Sequence, residues 1–352
     1  MKKNALLGIG IIIILIVASA GAYFYLNAAF EKKARKQIDN FAKNNNIVKN
    51  LSYKDLKASL LTRSVQLKDI EFEVANRDKI TAKIKIKEAI FKGDLNNNYE
   101  SEFKDASFIN MDTNGPIKLI GKTILTAEKG QIKYKKDKGR IEYRFHTEGI
   151  KISKDFVKDL QNESKEAEEF LTKILKINNP IKAEGFSIID TTKKTVDVKK
   201  YKMDWENNFS FEYSLSLQNI DIYKLKDMAD KLNNKNNQNP LMIFEFFNEL
   251  GKIKPIKIAF TLKDKGFKER LFDYIKNSDN QTKEQIVSEL KNKLSNSELK
   301  DFKDAIINFV KTDNGKINLT IENPNKLSVS EIIQNANSFE DIQKELKIKL
   351  SN

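Results

Sequence analysis

Cysteine is absent from the 352-residue chain, and histidine and tryptophan occur once each. Without cysteine there is no disulfide framework, no thiolate metal site and no cysteine nucleophile. With His146 alone, neither a multi-histidine metal site nor a two-histidine mechanism can be assembled from one chain. Arginine is scarce too, with six among the 63 basic residues, at positions 35, 63, 77, 140, 144 and 270. Arginine is the side chain suited to bidentate recognition of phosphates and bases. The net charge of +14 is therefore read as a solvated cationic surface, and no nucleic-acid partner is expected. The cations are dispersed, in short runs such as Lys193-Lys194 and Lys199-Lys200. An anionic partner, if the chain has one, fits lipid or cell-wall polymer as well as nucleic acid.

Phosphate-binding motifs are missing as well. No G-x-x-x-x-G-K-[ST] or G-x-G-x-x-G run is present, so no nucleotide cofactor is indicated. Paired carboxylates could serve a glycan hydrolase, but no pair stands out among the 49 acids. Glu163, Glu166, Glu168 and Glu169 read as the solvated face of a helix. No catalytic, cofactor or metal residue is assigned, and the chain is not read as an enzyme.

What is present begins with Ala5 to Leu26, an uncharged and mostly apolar stretch centred on Ile11, Ile12, Ile13, Ile14, Leu15 and Ile16. At ~1.5 Å per residue such a helix spans the ~30 Å hydrocarbon core of a bilayer. Two readings compete. Ala18-Ser19-Ala20 has the small-x-small form of a signal-peptidase site. The stretch continues, however, through Tyr23, Phe24 and Tyr25, where an interfacial aromatic belt would sit. An uncleaved anchor over residues 1–30 is favoured, followed by a basic linker helix over 31–50. Lys2 and Lys3 flank one side and Lys32, Lys33, Arg35 and Lys36 the other, so counting positive charges alone favours a cytoplasmic body. A short basic segment before an apolar run is nevertheless how export signals begin, and long domains translocate regardless of charge. An exported body is the preferred orientation.

Residues 51–265 read mainly as strands. Ile80, Ala82, Ile84 and Ile86 alternate with polar residues, as do Ile141, Tyr143 and Phe145. Phe209, Phe211, Tyr213, Leu215 and Leu217 follow the same rule, and so do Ile256, Ile258 and Phe260. Period-two alternation belongs to antiparallel sheets with one dry and one wet face. A finer pattern recurs in Leu67-Lys68-Asp69-Ile70, Phe103-Lys104-Asp105-Ala106, Thr147-Glu148-Gly149-Ile150, Ala183-Glu184-Gly185-Phe186 and Leu217-Gln218-Asn219-Ile220. A three-residue step reverses side-chain parity, so each copy predicts a bulge or bend that returns the apolar set to one face. The copies repeat at intervals of roughly 35 to 45 residues, suggesting related β-units side by side.

Helices punctuate and then replace the strands. An amphipathic stripe of Phe156, Leu160, Ala167, Leu171 and Ile174 predicts a helix over 155–177, stopped by Asn178-Asn179-Pro180. A short helix is expected over 223–232, then a polar loop over 233–239. Leu241 to Leu250 is strongly apolar, suited to a core or to the wall of a greasy groove. After Gly266 two stripes follow, Ile286-Val287-Leu290-Leu294 and Leu299-Phe302-Ile306-Phe309-Val310. Strands at 317–321 and 346–350 and a helix starting near Ser328 complete a helical region over 266–352. The class is α+β: an N-terminal transmembrane helix, a curved β-rich body of repeated antiparallel units with interspersed amphipathic helices, and a helical C-terminal part.

Three stretches carry a resemblance. They are the apolar N-terminus with the basic segment Phe30 to Lys43, the run Leu51 to Ile70, and Gly266-Phe267-Lys268-Glu269-Arg270-Leu271 through Leu319 to Pro324. Together they resemble the AsmA-like and YdgA-like envelope proteins of Gram-negative bacteria. The resemblance implies a single-pass inner-membrane protein with a curved β-rich body in the periplasm, and it brings no catalytic residue. Larger AsmA-like members are implicated in moving lipid, so the implied partners are the inner membrane, a lipid or another envelope protein. The favoured function is binding of lipid or another hydrophobic ligand along an apolar sheet face, with Ile84, Ile86, Phe211, Tyr213, Leu215, Phe244 and Phe247 as candidates. The alternative is a scaffold that binds protein partners through a sheet edge or the terminal helices.

Overall fold

Apolar–polar alternation becomes thirteen strands among the described residues of the computed structural model. Those residues are 27–40, 43, 48–76, 79–94, 97–112, 120–161, 165–232 and 240–352. The expected membrane anchor, with Ile11 to Ile16, lies outside them, as does the polar loop 233–239. Among the described residues no helix is long and apolar enough to cross a membrane. The chain divides into two compact units, residues 1–123 and 124–352.

In the first unit, helix α1 (residues 27–40) precedes β1 (Val48–Ser52), β2 (Asp55–Ser59), β3 (Ser64–Asn76), β4 (Lys79–Asp94) and β5 (Asn98–Asn110). The linker helix expected over 31–50 thus ends earlier, because Val48 already pairs with Val74. β1 and β2 lie end to end along one side of β3, and β3, β4 and β5 form an antiparallel meander. Directly opposed residues share a face, which gives the rows Leu56–Leu67–Ala89–Phe103 and Ile70–Ile86–Ala106. Helix α1 turns Phe30, Ala34 and Ile38 inward at helical spacing; Phe30 and Ile38 pack against the buried Leu56, Ala58, Leu67, Ile70 and Ala89. Asn27 fixes its start, donating from Nδ2 to the Ala58 carbonyl (2.8 Å) and accepting from the Leu60 amide (2.7 Å).

The second unit is an antiparallel meander of β6 (Thr123–Asp137), β7 (Arg140–Ile152), β8 (Ile181–Asp190), β9 (Thr195–Trp205), β10 (Phe209–Gln218), β11 (Lys254–Asp264), β12 (Lys316–Glu322) and β13 (Lys347–Ser351). Helices are inserted between successive strands. They are α2 (Lys154–Gln161) and α3 (Lys165–Glu169) after β7, and α4 (Ile222–Leu232) and α5 (Pro240–Gly251) after β10. α6 (Phe267–Asp279), α7 (Lys283–Ser295) and α8 (Lys303–Lys311) follow β11, and α9 (Val329–Asn335) and α10 (Phe339–Glu345) follow β12. The helix expected over 155–177 is seen as α2 and α3, on either side of residues 162–164, which lie outside the described residues. Its last part, Phe170–Ile174, is a π-turn that closes with the Leu175 amide on the Phe170 carbonyl and Lys176 at φ 43°.

Four of the five repeated steps carry a residue with positive φ at the third position: Asp69 (48°), Asp105 (52°), Gly149 (64°) and Asn219 (58°). Asp, Asn and Gly are the residues that enter this region at least cost. Leu67 and Ile70 consequently fall in one buried cluster although they are three residues apart. The fifth copy differs. Alternation runs straight through Gly185, so Phe186 faces the polar side, where the Arg144 guanidinium lies 4.0 Å from its ring centre. The bulge falls instead on β9, between partners Lys200 and Val198, and it brings Val198 and Tyr201 to the apolar face.

A polar clasp joins strand ends and helices. Buried Asp264 accepts from the Gly266 amide (3.2 Å) and the Lys268 amide (3.0 Å), starting α6 after Gly266 at φ 95°. Arg270 donates to the carbonyls of Ile174 (2.8 Å), Gly266 (2.7 Å) and Asn207 (2.7 Å), and to Oδ1 of the fully buried Asn208 (2.7 Å). Lys268 reaches the carbonyls of Phe309 and Thr312, and burial lowers its pKa from the usual lysine value. The Gly266-to-Leu271 motif is explained by this work of tying α6 to its neighbours.

Candidate functional site: a half-open apolar sheet face

Register places one uninterrupted row across the second unit: Ile132, Phe145, Gly185, Tyr201, Tyr213, Phe260, Leu319 and Leu350. The neighbouring row is Tyr134, Tyr143, Ser187, Val198, Leu215, Ile258, Ile321 and Ile348. A third runs through Thr147, Ala183, Met203, Phe211, Leu262 and Ile317. These three rows make one apolar face. Of their side chains only the small Ala183 is buried; every large one is half-buried.

Aromatic rings form the middle of the face. Tyr201 stacks on Tyr213 at 5.0 Å between centroids and on Phe211 at 5.7 Å, and Phe211 stacks on Phe260 at 6.2 Å. Phe145 meets Tyr201 at 5.7 Å and Tyr143 at 6.0 Å. These separations suit offset and tilted ring pairs. Strand β8 contributes only Ala183, Gly185 and Ser187 to these rows, and rings from β7 and β9 meet across it. The Phe145 ring leans over Gly185, and a Cβ there would collide with it. Burial raises the pKa of the Tyr143 phenol, which stays a neutral hydroxyl beside the rings.

The opposite face is wet and ion-paired. Lys200 meets Glu184 (2.7 Å), Lys257 meets Glu322 (2.9 Å) and Lys129 meets Glu148 (2.9 Å). His146 Nε2 lies 2.9 Å from Glu148 and its Nδ1 3.9 Å from Glu184. The Lys129 ammonium and then the His146 ring hold the Glu148 pKa at about 2. This arrangement is a solvated salt-bridge lattice of neutralised charges. Among the described residues no group of three or more His, Asp and Glu could hold a metal.

The seven ligand candidates separate into three places. Phe211, Tyr213 and Leu215 sit on β10 within the half-open face. Ile84 and Ile86 belong to the first unit; Ile86 packs against the cluster under α1, and Ile84 lies between Phe72 and Phe108. Phe244 and Phe247 lie on α5 and are exposed. Tyr201, Met203 and Val198 join the face but were hidden in sequence by the β9 bulge, and the Lys199-Lys200 pair that interrupts their alternation was the available signal. Trp205 is buried with Val157 and Ile177, its indole donating to the Asn179 carbonyl at 3.1 Å.

A family model described as "uncharacterized protein" matches residues 202–352, which hold β10 to β13, the helices between them and the polar clasp. No curated protein matches the chain.

Proposed function

We propose that this protein is a non-catalytic, membrane-anchored envelope protein whose second-unit sheet binds lipid or another hydrophobic molecule on its apolar face. The observation that carries the reading is the set of three apolar rows whose large side chains all remain half-buried. A soluble sheet buries one face against a covering layer, and a contiguous apolar surface left open marks a binding site. Tyr134, Tyr143, Tyr201 and Tyr213 add hydroxyls to an otherwise greasy surface, which suits an amphiphile better than a pure hydrocarbon. The apolar run Ala5 to Leu26 and the resemblance to AsmA-like and YdgA-like proteins support a single-pass inner-membrane location with the body in the periplasm.

Photo-crosslinking tests the reading directly. Full-length protein in membranes is exposed to a diazirine fatty acid, irradiated and mapped by peptide mass spectrometry. Adducts are expected on β7 and β9 to β12, at Tyr201, Tyr213 and Phe260 first. Adducts confined to residues 1–26 would overturn it.

A further inference from the structure

The apolar run Ala5 to Leu26 is 22 residues long, and the next charges in the chain are Glu31, Lys32 and Lys33. As a helix the run would measure about 33 Å at ~1.5 Å per residue, against a hydrocarbon core of ~30 Å. A bilayer that holds the run therefore uses nearly all of it, and Leu26 lies at its surface. Asn27 is one peptide further on, and adjacent Cα atoms are ~3.8 Å apart.

The Asn27 side chain is bonded to the β2–β3 hairpin at two points. Its Nδ2 donates to the Ala58 carbonyl (2.8 Å) and its Oδ1 accepts from the Leu60 amide (2.7 Å). The hairpin closes here in a tight turn, with the Arg63 amide on the Leu60 carbonyl (3.3 Å), the Thr62 amide on Ser59 Oγ (3.4 Å) and Arg63 at φ 47°. Leu61 occupies the corner of that turn and is 83% exposed, the highest value for a large apolar side chain among the described residues. A single exposed leucine needs no explanation by itself, but the place of this one does. Turn corners ordinarily carry proline, glycine or small polar residues. The bonds from Asn27 through Leu60 also put the Leu61 Cα within about 10 Å of the Asn27 Cα. Ser59-Leu60-Leu61-Thr62 and Asn27-Ala28-Ala29 carry no charge, and Ala28 and Ala29 are exposed.

We propose that the β2–β3 turn is a membrane contact, in which Leu61 enters the headgroup–acyl boundary of the bilayer that holds Ala5 to Leu26. Interfacial apolar residues lie ~5–10 Å into that boundary, within the reach that the Asn27 bonds allow. The proposal rests on the anchored reading given above and adds an orientation to it. Strand β3 leaves the turn and runs thirteen residues to Asn76, roughly 40 Å at ~3.3 Å per residue. Ser64 at its start pairs with Lys92 near the end of β4, and Asn76 pairs with Lys79. The β2–β3 and β4–β5 ends of the first unit therefore stand at the membrane, and the β3–β4 end stands away from it.

Because the chain has no cysteine, single labels test this cleanly. Full-length Leu61→Cys and Lys79→Cys proteins carry an environment-sensitive fluorophore and are reconstituted into phosphatidylcholine vesicles; both positions are exposed, one at each end of the unit. The label at 61 is expected to be quenched at least threefold more by brominated acyl chains than the label at 79. Equal quenching at the two sites, in protein that stays with the vesicles through alkaline carbonate, overturns the membrane contact and leaves the anchored reading standing. Release of the protein by carbonate sinks the anchored reading, and the contact falls with it. A disulfide between two Leu61→Cys chains also overturns the contact and assigns the turn to a second copy. Diazirine fatty acid in the same vesicles separates the remaining claim: a lipid-quenched 61 without adducts on β7 and β9 to β12 sinks the ligand-binding reading alone.

Discussion

In the first unit Leu67 and Ile70 lie beneath α1 at 3% and 4% exposure, whereas Tyr213 and Phe260, also facing inward from alternating strands in the second unit, stay half-buried. Strand chemistry is alike in the two units: apolar residues in register on one side and ion pairs on the other. The covering differs. Helix α1 spends its apolar stripe on the first sheet, while the helices of the second unit satisfy one another or the strand ends. Val287, Leu294 and Ile307 bury themselves between α7 and α8, and Val157 and Ile177 pack around Trp205. A face becomes a core only when a second layer is placed on it, and in the second unit the inserted helices leave the central rows uncovered.

The sharpest way to break this comparison is to truncate the covered face. Leu67→Ala removes a fully packed side chain and is expected to cost about 3 to 4 kcal/mol. Amide exchange should accelerate throughout β3 to β5 while β9 to β11 keep their protection. Next comes the clasp, which is the second unit's substitute for a covered core. Arg270→Ala leaves three carbonyls and Asn208 Oδ1 without their donor and is expected to cost about 2 to 3 kcal/mol in chemical denaturation. Tyr213→Ala, on the half-open face, should cost about 2 kcal/mol, less than truncation of a fully buried ring, because part of the ring stays in water. A loss as large as that of Leu67→Ala would mean the face is a closed core.

The smallest effect separates the wet faces. Glu148 has its pKa depressed from 4.5 to about 2. A depressed carboxylate contributes stability above its unfolded pKa and loses it as pH falls through the folded one. That contribution should therefore be complete above pH 4.5 and fade between about 4.5 and 2. Carboxyl NMR of Glu148 should give a midpoint near 2, moving toward 4.5 in Lys129→Met; a wild-type midpoint already near 4.5 would remove the salt bridge from the account.

Much of this architecture is legible in the sequence, because period-two alternation is a direct record of a strand with unlike faces. The three-residue steps were legible for the same reason at Asp69, Asp105, Gly149 and Asn219, whose residue types enter positive φ readily. At Gly185 the same residue type has another use: it makes room for the Phe145 ring, so the expected bend is absent. Helix boundaries were less visible; the change to a π-turn at Phe170 and the early start of β1 leave no mark in the apolar spacing. Leu299, which the spacing places on one stripe with Phe302, Ile306, Phe309 and Val310, lies outside the buried α7–α8 cluster and is exposed. Least legible was which face stays open, since Ile86, which packs on the cluster under α1, and Leu215 sit in equally regular alternation. That depends on where α1 packs, information that no single strand contains. The seven candidates were chosen for apolar regularity and so were divided among the strands of the first unit, the half-open face of the second and a helix surface.

Hydroxyl-radical footprinting of the full-length protein with and without bound lipid tests the central claim most directly. The account predicts that Tyr201, Tyr213 and Phe260 are oxidised in lipid-free protein and protected when lipid is added, while Leu67 and Ile70 resist oxidation in both. Oxidation of the three rings that is absent from the start, or unchanged by lipid, would contradict it.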